Sequence, residues 1–284
     1  MSSESFENLS YEDRTFAPAQ TFIDNANAKS DIYKEADADG LAFWEKQASR
    51  LHWNQKWNQV VGWQLPFAKW FIGGRLNASY NCLDRHVIEG KGNRVAFYFE
   101  GEPGDTQTIT YAELLLKVCK TANALKELGI KQGDRVAIYM PMIPEAAIAM
   151  LACARLGAMH SVVFGGFSAD SLLSRIQDAD ASLIITADGG FRKGAPFALK
   201  PAVDEALKGE TNVKNVLVVK RTGQETKFDS SKDVWWHELV DKQSDKHECE
   251  FFDSENGLFI LYTSGTTAKP KGISFLGWLV LCLP

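Results

Sequence analysis

The chain has 284 residues, 45% of them hydrophobic and 24% charged, with a formal net charge of -5. That makeup excludes disorder and suits one large globular domain or two smaller ones. A pI near 5.6 supplies no bulk attraction to nucleic acid or anionic lipid, so any recognition of phosphate has to come from local groups. The amino terminus, MSSESFENLSYEDRTF, has neither a basic stretch nor an apolar core of signal-peptide length, so a cytoplasmic location is expected, without nucleic-acid or membrane partners. Residues 1–27 read as a polar leader. From 28 to 88 the sequence is crowded with rings, among them Phe43, Trp44, Trp53, Trp57, Trp63, Phe67, Trp70 and Phe71. Such rings either stack on a ligand or anchor an extended layer against a larger body, and the area each one buries favours the second.

From Asn93 onward the pattern is that of an α/β fold, a parallel sheet with crossover helices. Arg94 to Glu100 and Thr108 to Tyr111 form an expected hairpin around Gly101-Glu102-Pro103-Gly104. Ala112 to Leu128 places Leu114, Val118, Ala122, Leu125 and Leu128 at helical spacing and runs into Gly129, a good residue just beyond a last turn. Strands are expected at Arg135 to Met140, His160 to Phe164, Ser182 to Thr186 and Asn215 to Val219. Helices are expected near Glu145 to Leu156, Ser168 to Ala179 and Phe197 to Leu207, with Ser168 as a cap. The charged stretch Arg221 to Glu250 reads as solvated, and Gly257 to Tyr262 as a buried strand feeding a loop.

That loop carries the chemistry. Tyr262-Thr-Ser-Gly-Thr-Thr-Ala-Lys-Pro-Lys-Gly272 sets hydroxyls, two lysines and two glycines directly behind a strand. Amide N–H groups, hydroxyls and ammonium groups gathered in this way hold polyphosphate oxygens. The Walker pattern is absent, because Pro270-Lys271-Gly272 stands where Gly-Lys-Ser/Thr would follow Gly265. Gly166-Phe-Ser168-Ala-Asp170 likewise lacks the second glycine of a serine-hydrolase elbow. Cys82, Cys119, Cys153, Cys249 and Cys282 form no C-x-x-C pair, and His52, His86, His160, His237 and His247 show no ligand spacing. No metal site is expected, and the cysteines read as reduced thiols used in packing. The glycosylation triplets at Asn8 and Asn77 lack the secretory route they would need.

The loop resembles the signature of adenylate-forming enzymes at every position but one, Ala268, where the signature has glycine. If that position needs positive φ, its methyl group costs roughly 1 to 2 kcal/mol. Residues 28 to 272 resemble acetyl-CoA synthetases in particular. The likeness is carried by Trp63 to Asn77, Asn81-Cys-Leu-Asp-Arg-His86, Asp134 to Glu145 and Val163-Phe-Gly-Gly-Phe-Ser168. It implies the first part, 89–272, of an AMP-binding domain behind an amino-terminal extension at 28–88. It implies an acid–thiol ligase that makes acetyl-AMP and pyrophosphate from acetate and ATP, with Mg²⁺ assisting, then acetyl-CoA and AMP once coenzyme A attacks. Thr263, Ser264, Gly265, Thr266, Thr267, Lys269 and Lys271 would meet the triphosphate. Phe164, Gly165, Gly166, Arg192, Lys193, Gly194 and Ala195 would meet coenzyme A, with Arg192 on the ribose 3′-phosphate. Ala195 stands where the pattern usually has a second arginine.

No catalytic residue is expected within this chain, since the resemblance places the catalytic lysine in a later domain. After Gly272 the sequence departs from the pattern, and residues 273–284 read as an aberrant apolar tail from a truncated or shifted reading frame. An unpaired apolar sheet edge, poor solubility and no complete adenylation by the chain alone are therefore expected. Propionate is the alternative substrate. A nucleotide- or CoA-binding module without turnover and an inert structural product are the alternative functions.

Overall fold

A computed structural model of the protein describes residues 15–263 and 270–282. Helices α1 (Gln20–Asn25), α2 (Asp31–Ala38) and α3 (Gly40–Ala48) precede a hairpin of β1 (Gln59–Gln64) and β2 (Phe67–Ile72). The rings crowded here bury one another. Phe71, fully buried, lies 5.5, 5.0 and 6.0 Å from Trp53, Trp57 and Trp70, centroid to centroid. The rings at the base of the hairpin are anchors. Trp63, Leu65 and Phe67 at its tip are exposed.

Beyond β3 (Arg75–Leu76), α4 (Ala78–Cys82) and α5 (Asp84–His86), the expected hairpin forms from β4 (Val95–Glu100) and β5 (Thr106–Thr110). It leads into α6 (Tyr111–Glu127). That helix starts at a capping box, in which Thr110 accepts from the Glu113 N–H and the Glu113 carboxylate accepts from the Thr110 N–H. It stops at Gly129, whose φ of 87° lets the Gly129 and Ile130 amides turn back to the Lys126 and Leu125 carbonyls.

The sheet follows through β6 (Arg135–Met140), α7 (Pro144–Arg155), β7 (Met159–Phe164), α8 (Ala169–Ala179) and β8 (Leu183–Ala187). A second hairpin, β9 (Gly189–Arg192) and β10 (Ala195–Ala198), precedes α9 (Lys200–Ala206), β11 (Asn215–Val219), β12 (Asp233–Trp235) and α10 (Trp236–Leu239). Finally come β13 (Phe252–Asp253), which pairs with β3, and then β14 (Gly257–Thr263), β15 (Lys271–Leu276) and α11 (Gly277–Cys282). The strand order is β12-β11-β8-β6-β7-β14-β15, parallel throughout except that β15 runs antiparallel to β14. The central strands are buried, as their unbroken apolar runs require, and helices cover them. No helix among the described residues is long and apolar enough to cross a membrane.

Four expectations need correction. The helix expected from Phe197 begins at Lys200, because Phe197 pairs with Gly190 in a hairpin and Pro201 takes the first turn of the helix. The stretch from Arg221 to Glu250 is not merely solvated, since it supplies β12, the buried Trp236 and the buried Asp233, which accepts from Lys200 Nζ at 2.7 Å. β14 is half-buried rather than internal, with Leu261 45% exposed. The edge of β14 is not left bare, because residues of the expected tail pair with it as β15 and set Trp278 5.2 Å from Phe71.

One buried group makes stability depend on pH. His160 in β7 is 7% exposed, its Nδ1 has no partner among the described residues, and burial pushes its imidazole from 6.5 down to about 4. The folded state thus takes up this proton later than the unfolded chain does. Its share of stability is whole above about pH 6.5 and is lost as pH falls toward 4, a decline of about 3 kcal/mol. Urea titrations at pH 7 and pH 4.5 should show that His160→Gln removes most of that part of the loss. An unchanged slope in the variant would contradict it.

Candidate functional site

Four of the seven residues expected to meet coenzyme A, Phe164, Gly165, Gly166 and Arg192, converge outside the carboxyl ends of the strands. β6, β7, β8 and β11 finish side by side, and the chain leaves β6 toward β7 but leaves β8 toward β11, so a crevice opens between the diverging crossovers. The cleft there has a volume of about 350 Å³, and Phe164, Gly165, Gly166 and Arg192 line it together. A methyl group on Gly165 would stand 3.0 Å from the Met140 carbonyl oxygen, and one on Gly166 would stand 3.0 Å from the Phe164 ring. Both contacts are tighter than ordinary van der Waals distance, and the one at Gly165 is against fixed backbone, so glycine suits this segment best. A methyl group on Gly166 would also stand 3.9 Å from Arg192 Nη1, so the guanidinium reaches across to the Phe-Gly-Gly segment.

Lys193 and Gly194 form the tip of the β9–β10 hairpin with φ of 54° and 75°, the mirror-image turn that two-residue hairpins favour. They and Ala195 are exposed and lie outside the cleft lining. The Gly194 N–H donates to Glu102 Oε1 at 2.7 Å, which ties this tip to the β4–β5 turn. Arg192 is exposed, and no carboxylate among the described residues pairs with it. Its charge is therefore available to an anionic ligand.

The remaining lining was not foreseen. Phe99, Glu102, Met140, Met142, Phe191, Phe197 and Arg221 complete a mainly apolar cleft edged with charge. Arg221 sits over the Phe99 and Phe191 rings at 5.6 and 5.2 Å and donates to both Asp105 oxygens at 2.6 and 2.9 Å. The Asp105 hydrogen bonds hold the guanidinium charged, and Arg221 in turn keeps the Asp105 carboxyl below its usual range. The Gly-Glu-Pro-Gly turn was the one sequence signal for this wall, since it brings Glu102 and Asp105 to the mouth.

Of the residues expected to meet the triphosphate, Ser264, Gly265, Thr266, Thr267 and Lys269 lie outside the described residues, as does Ala268. Thr263 and Lys271 flank them, exposed and directly paired at the end of β14 and start of β15. Tyr262 opens the loop, donating to Asp178 Oδ2 at 2.8 Å beneath the Arg175 guanidinium, and burial followed by Asp178 raises its phenol. Among the described residues no three His, Cys, Asp or Glu side chains stand close enough to hold a metal ion.

This arrangement can be compared with known proteins. A family model described as AMP-binding enzyme matches residues 84–275, and one described as acetyl-coenzyme A synthetase N-terminus matches 30–82. The chain belongs to the AMP-binding enzyme family. Acetyl-coenzyme A synthetase of Streptomyces coelicolor is 61% identical over 274 residues, covering 96% of this chain and 42% of that protein. The Mycobacterium tuberculosis protein of the same name is 57% identical over 274 residues, covering 94% of this chain and 42% of that one. Among solved structures, acetoacetyl-CoA synthetase from Streptomyces lividans matches with a TM-score of 0.80 at 26% identity, covering 88% of this chain and 38% of its own. This family member thus spans about 42% of the length of these curated relatives.

Proposed function

We propose that this chain is the coenzyme A- and phosphate-binding part of an AMP-forming acetate–CoA ligase. The observation that carries the reading is the joining of Phe164, Gly165, Gly166 and Arg192 in one cleft at the carboxyl ends of parallel strands. The reaction it serves first lets an acetate oxygen attack the α-phosphorus of ATP, forming acetyl-AMP as pyrophosphate leaves. The thiol of coenzyme A then attacks the acetyl carbon, and AMP leaves. Both steps bring anions together, so the protein's contribution is alignment and neutralisation of charge.

In this reading Arg192 pairs with the 3′-phosphate, and the glycine backbone at 165 and 166 lets the pantetheine arm pass close to the sheet. Thr263 and Lys271, with residues 264–269, hold the triphosphate. Mg²⁺ would accompany the nucleotide phosphates, and the described residues offer it no ligand set of their own. Residues of the expected set at Lys193 to Ala195 shape the hairpin that presents Arg192.

The test is a chimera that continues this chain into the remainder of the Streptomyces coelicolor relative. Acetate-dependent exchange of pyrophosphate into ATP is expected, faster than with propionate. A folded chimera that binds coenzyme A but catalyses no exchange would overturn the ligase reading and leave a binding module. A second expectation concerns Gly165→Val, whose side chain collides with the Met140 carbonyl. It should abolish coenzyme A binding in a calorimetric titration while the fold, followed by circular dichroism, persists.

A further inference from the structure

Asp188 stands directly after β8 and is 1% exposed, yet no cation pairs with it among the described residues. Its carboxylate is instead surrounded by peptide N–H groups. Oδ1 accepts from Gly189 at 2.7 Å, Arg221 at 2.8 Å and Thr222 at 3.0 Å, and Oδ2 accepts from Thr222 at 3.2 Å and Gly223 at 2.7 Å. The main chain of the same residue accepts from Leu199 at 3.1 Å and donates to Val219 at 2.9 Å. One buried charge therefore joins the exits of β8 and β11, the base of the β9–β10 hairpin and the entry to α9.

Both cations of the cleft hang from this joint. Arg192 ends the strand that begins at Gly189, and Arg221 is itself one of the donors. A buried carboxylate that accepts several peptide N–H bonds holds its partners in one geometry, since losing any of those bonds leaves charge uncompensated. The turn at Arg221 to Gly223 has no regular structure of its own, and the short amide bonds to Asp188 hold its backbone where the Arg221 side chain meets Asp105, Phe99 and Phe191.

We propose that Asp188 is a positioning residue of the coenzyme A cleft, locking Arg221 into its wall while anchoring the hairpin that carries Arg192. The inference rests on the reading of this cleft as the coenzyme A site. Asp188→Asn keeps the size of the side chain but removes its charge and one acceptor oxygen. It is expected to weaken coenzyme A binding by tenfold or more in calorimetry and to speed amide exchange at Thr222 and Gly223, without changing exchange within β6 or binding of ATP. Arg221→Gln, which leaves the joint intact, should weaken coenzyme A binding with the Thr222 and Gly223 amides still protected; it keeps the proposal testable should the first variant not fold. Equal losses of ATP and coenzyme A binding in Asp188→Asn, or unchanged exchange at Thr222 and Gly223, would overturn the proposal. If the unaltered chain binds no coenzyme A, the reading of the cleft fails, whereas the exchange pattern still decides whether Asp188 holds the turn.

Discussion

Asp84→Ala is expected to destabilise the protein by about 3 to 5 kcal/mol, because it strands a buried guanidinium. Arg155, at the end of α7, is 2% exposed and donates to both Asp84 oxygens at 2.7 and 2.9 Å. It also donates to the His247 carbonyl at 2.8 Å and to His247 Nδ1 at 3.3 Å. The pair thus ties α5, at the close of the extension, to the sheet's own helix and to the segment before β13. His247 must be neutral to accept at Nδ1, and burial, Arg155 and Lys126 all hold its imidazole below the usual range. Removing the carboxylate leaves the charge without compensation, whereas Asp84→Ala with Arg155→Met removes the charge as well. The double variant should therefore be more stable than Asp84→Ala alone, as urea midpoints at pH 7 would show. A single variant within about 1 kcal/mol of the unaltered protein would mean that water reaches Arg155 in the folded state.

Phe71→Ala should lose about 3 to 5 kcal/mol for a different reason, the cavity left where a ring was packed. Four tryptophans, 53, 57, 70 and 278, have ring centroids within 5.0 to 6.0 Å of Phe71, so the surroundings are too stiff to collapse onto an alanine. The residue has φ of 54°, which alanine relieves no better than phenylalanine. Because Trp278 belongs to α11 and the others to the extension, the same substitution should loosen the two ends of the described chain together. Tryptophan emission shifting to the red alongside the drop in urea midpoint is the expected result. A stability loss with unchanged emission would place the damage elsewhere.

Much of this architecture was legible in the residues. The strands at 135–140 and 215–219 fall where their apolar runs end, since a fully buried strand shows itself by composition alone. Ser168 caps α8 as its side chain predicts, accepting from the Ser171 N–H. Phe164, Gly165, Gly166 and Arg192 were named from motif resemblance, and their meeting in one cleft follows from the parallel order of the strands.

What stayed hidden was set by contacts between distant segments. Asp105 and Arg221 are 116 residues apart, and neither carries a periodic signal. Asp188 looks like any polar residue after a strand until four amides are seen to surround it. The β9–β10 hairpin was missed because Lys193-Gly194 is a weak turn signal beside the helical spacing that follows. The stretch from 221 to 250 misled through its charge, for Asp233 is paired inside with Lys200 and Arg221 is held half-buried against Asp105. β14 was placed too deep because its apolar run matches a central strand, while β15 alone lies beyond it.

The central claim is that the cleft between Phe164 and Arg221 receives coenzyme A with Arg192 on the 3′-phosphate. Calorimetric titration of the chain with coenzyme A and with 3′-dephospho-coenzyme A, before and after Arg192→Ala, tests it most directly. The account predicts saturable binding of one coenzyme A, weakened about tenfold by the substitution, with dephospho-coenzyme A affinity nearly unchanged. Absence of saturable binding, or equal weakening of both ligands by Arg192→Ala, would contradict it.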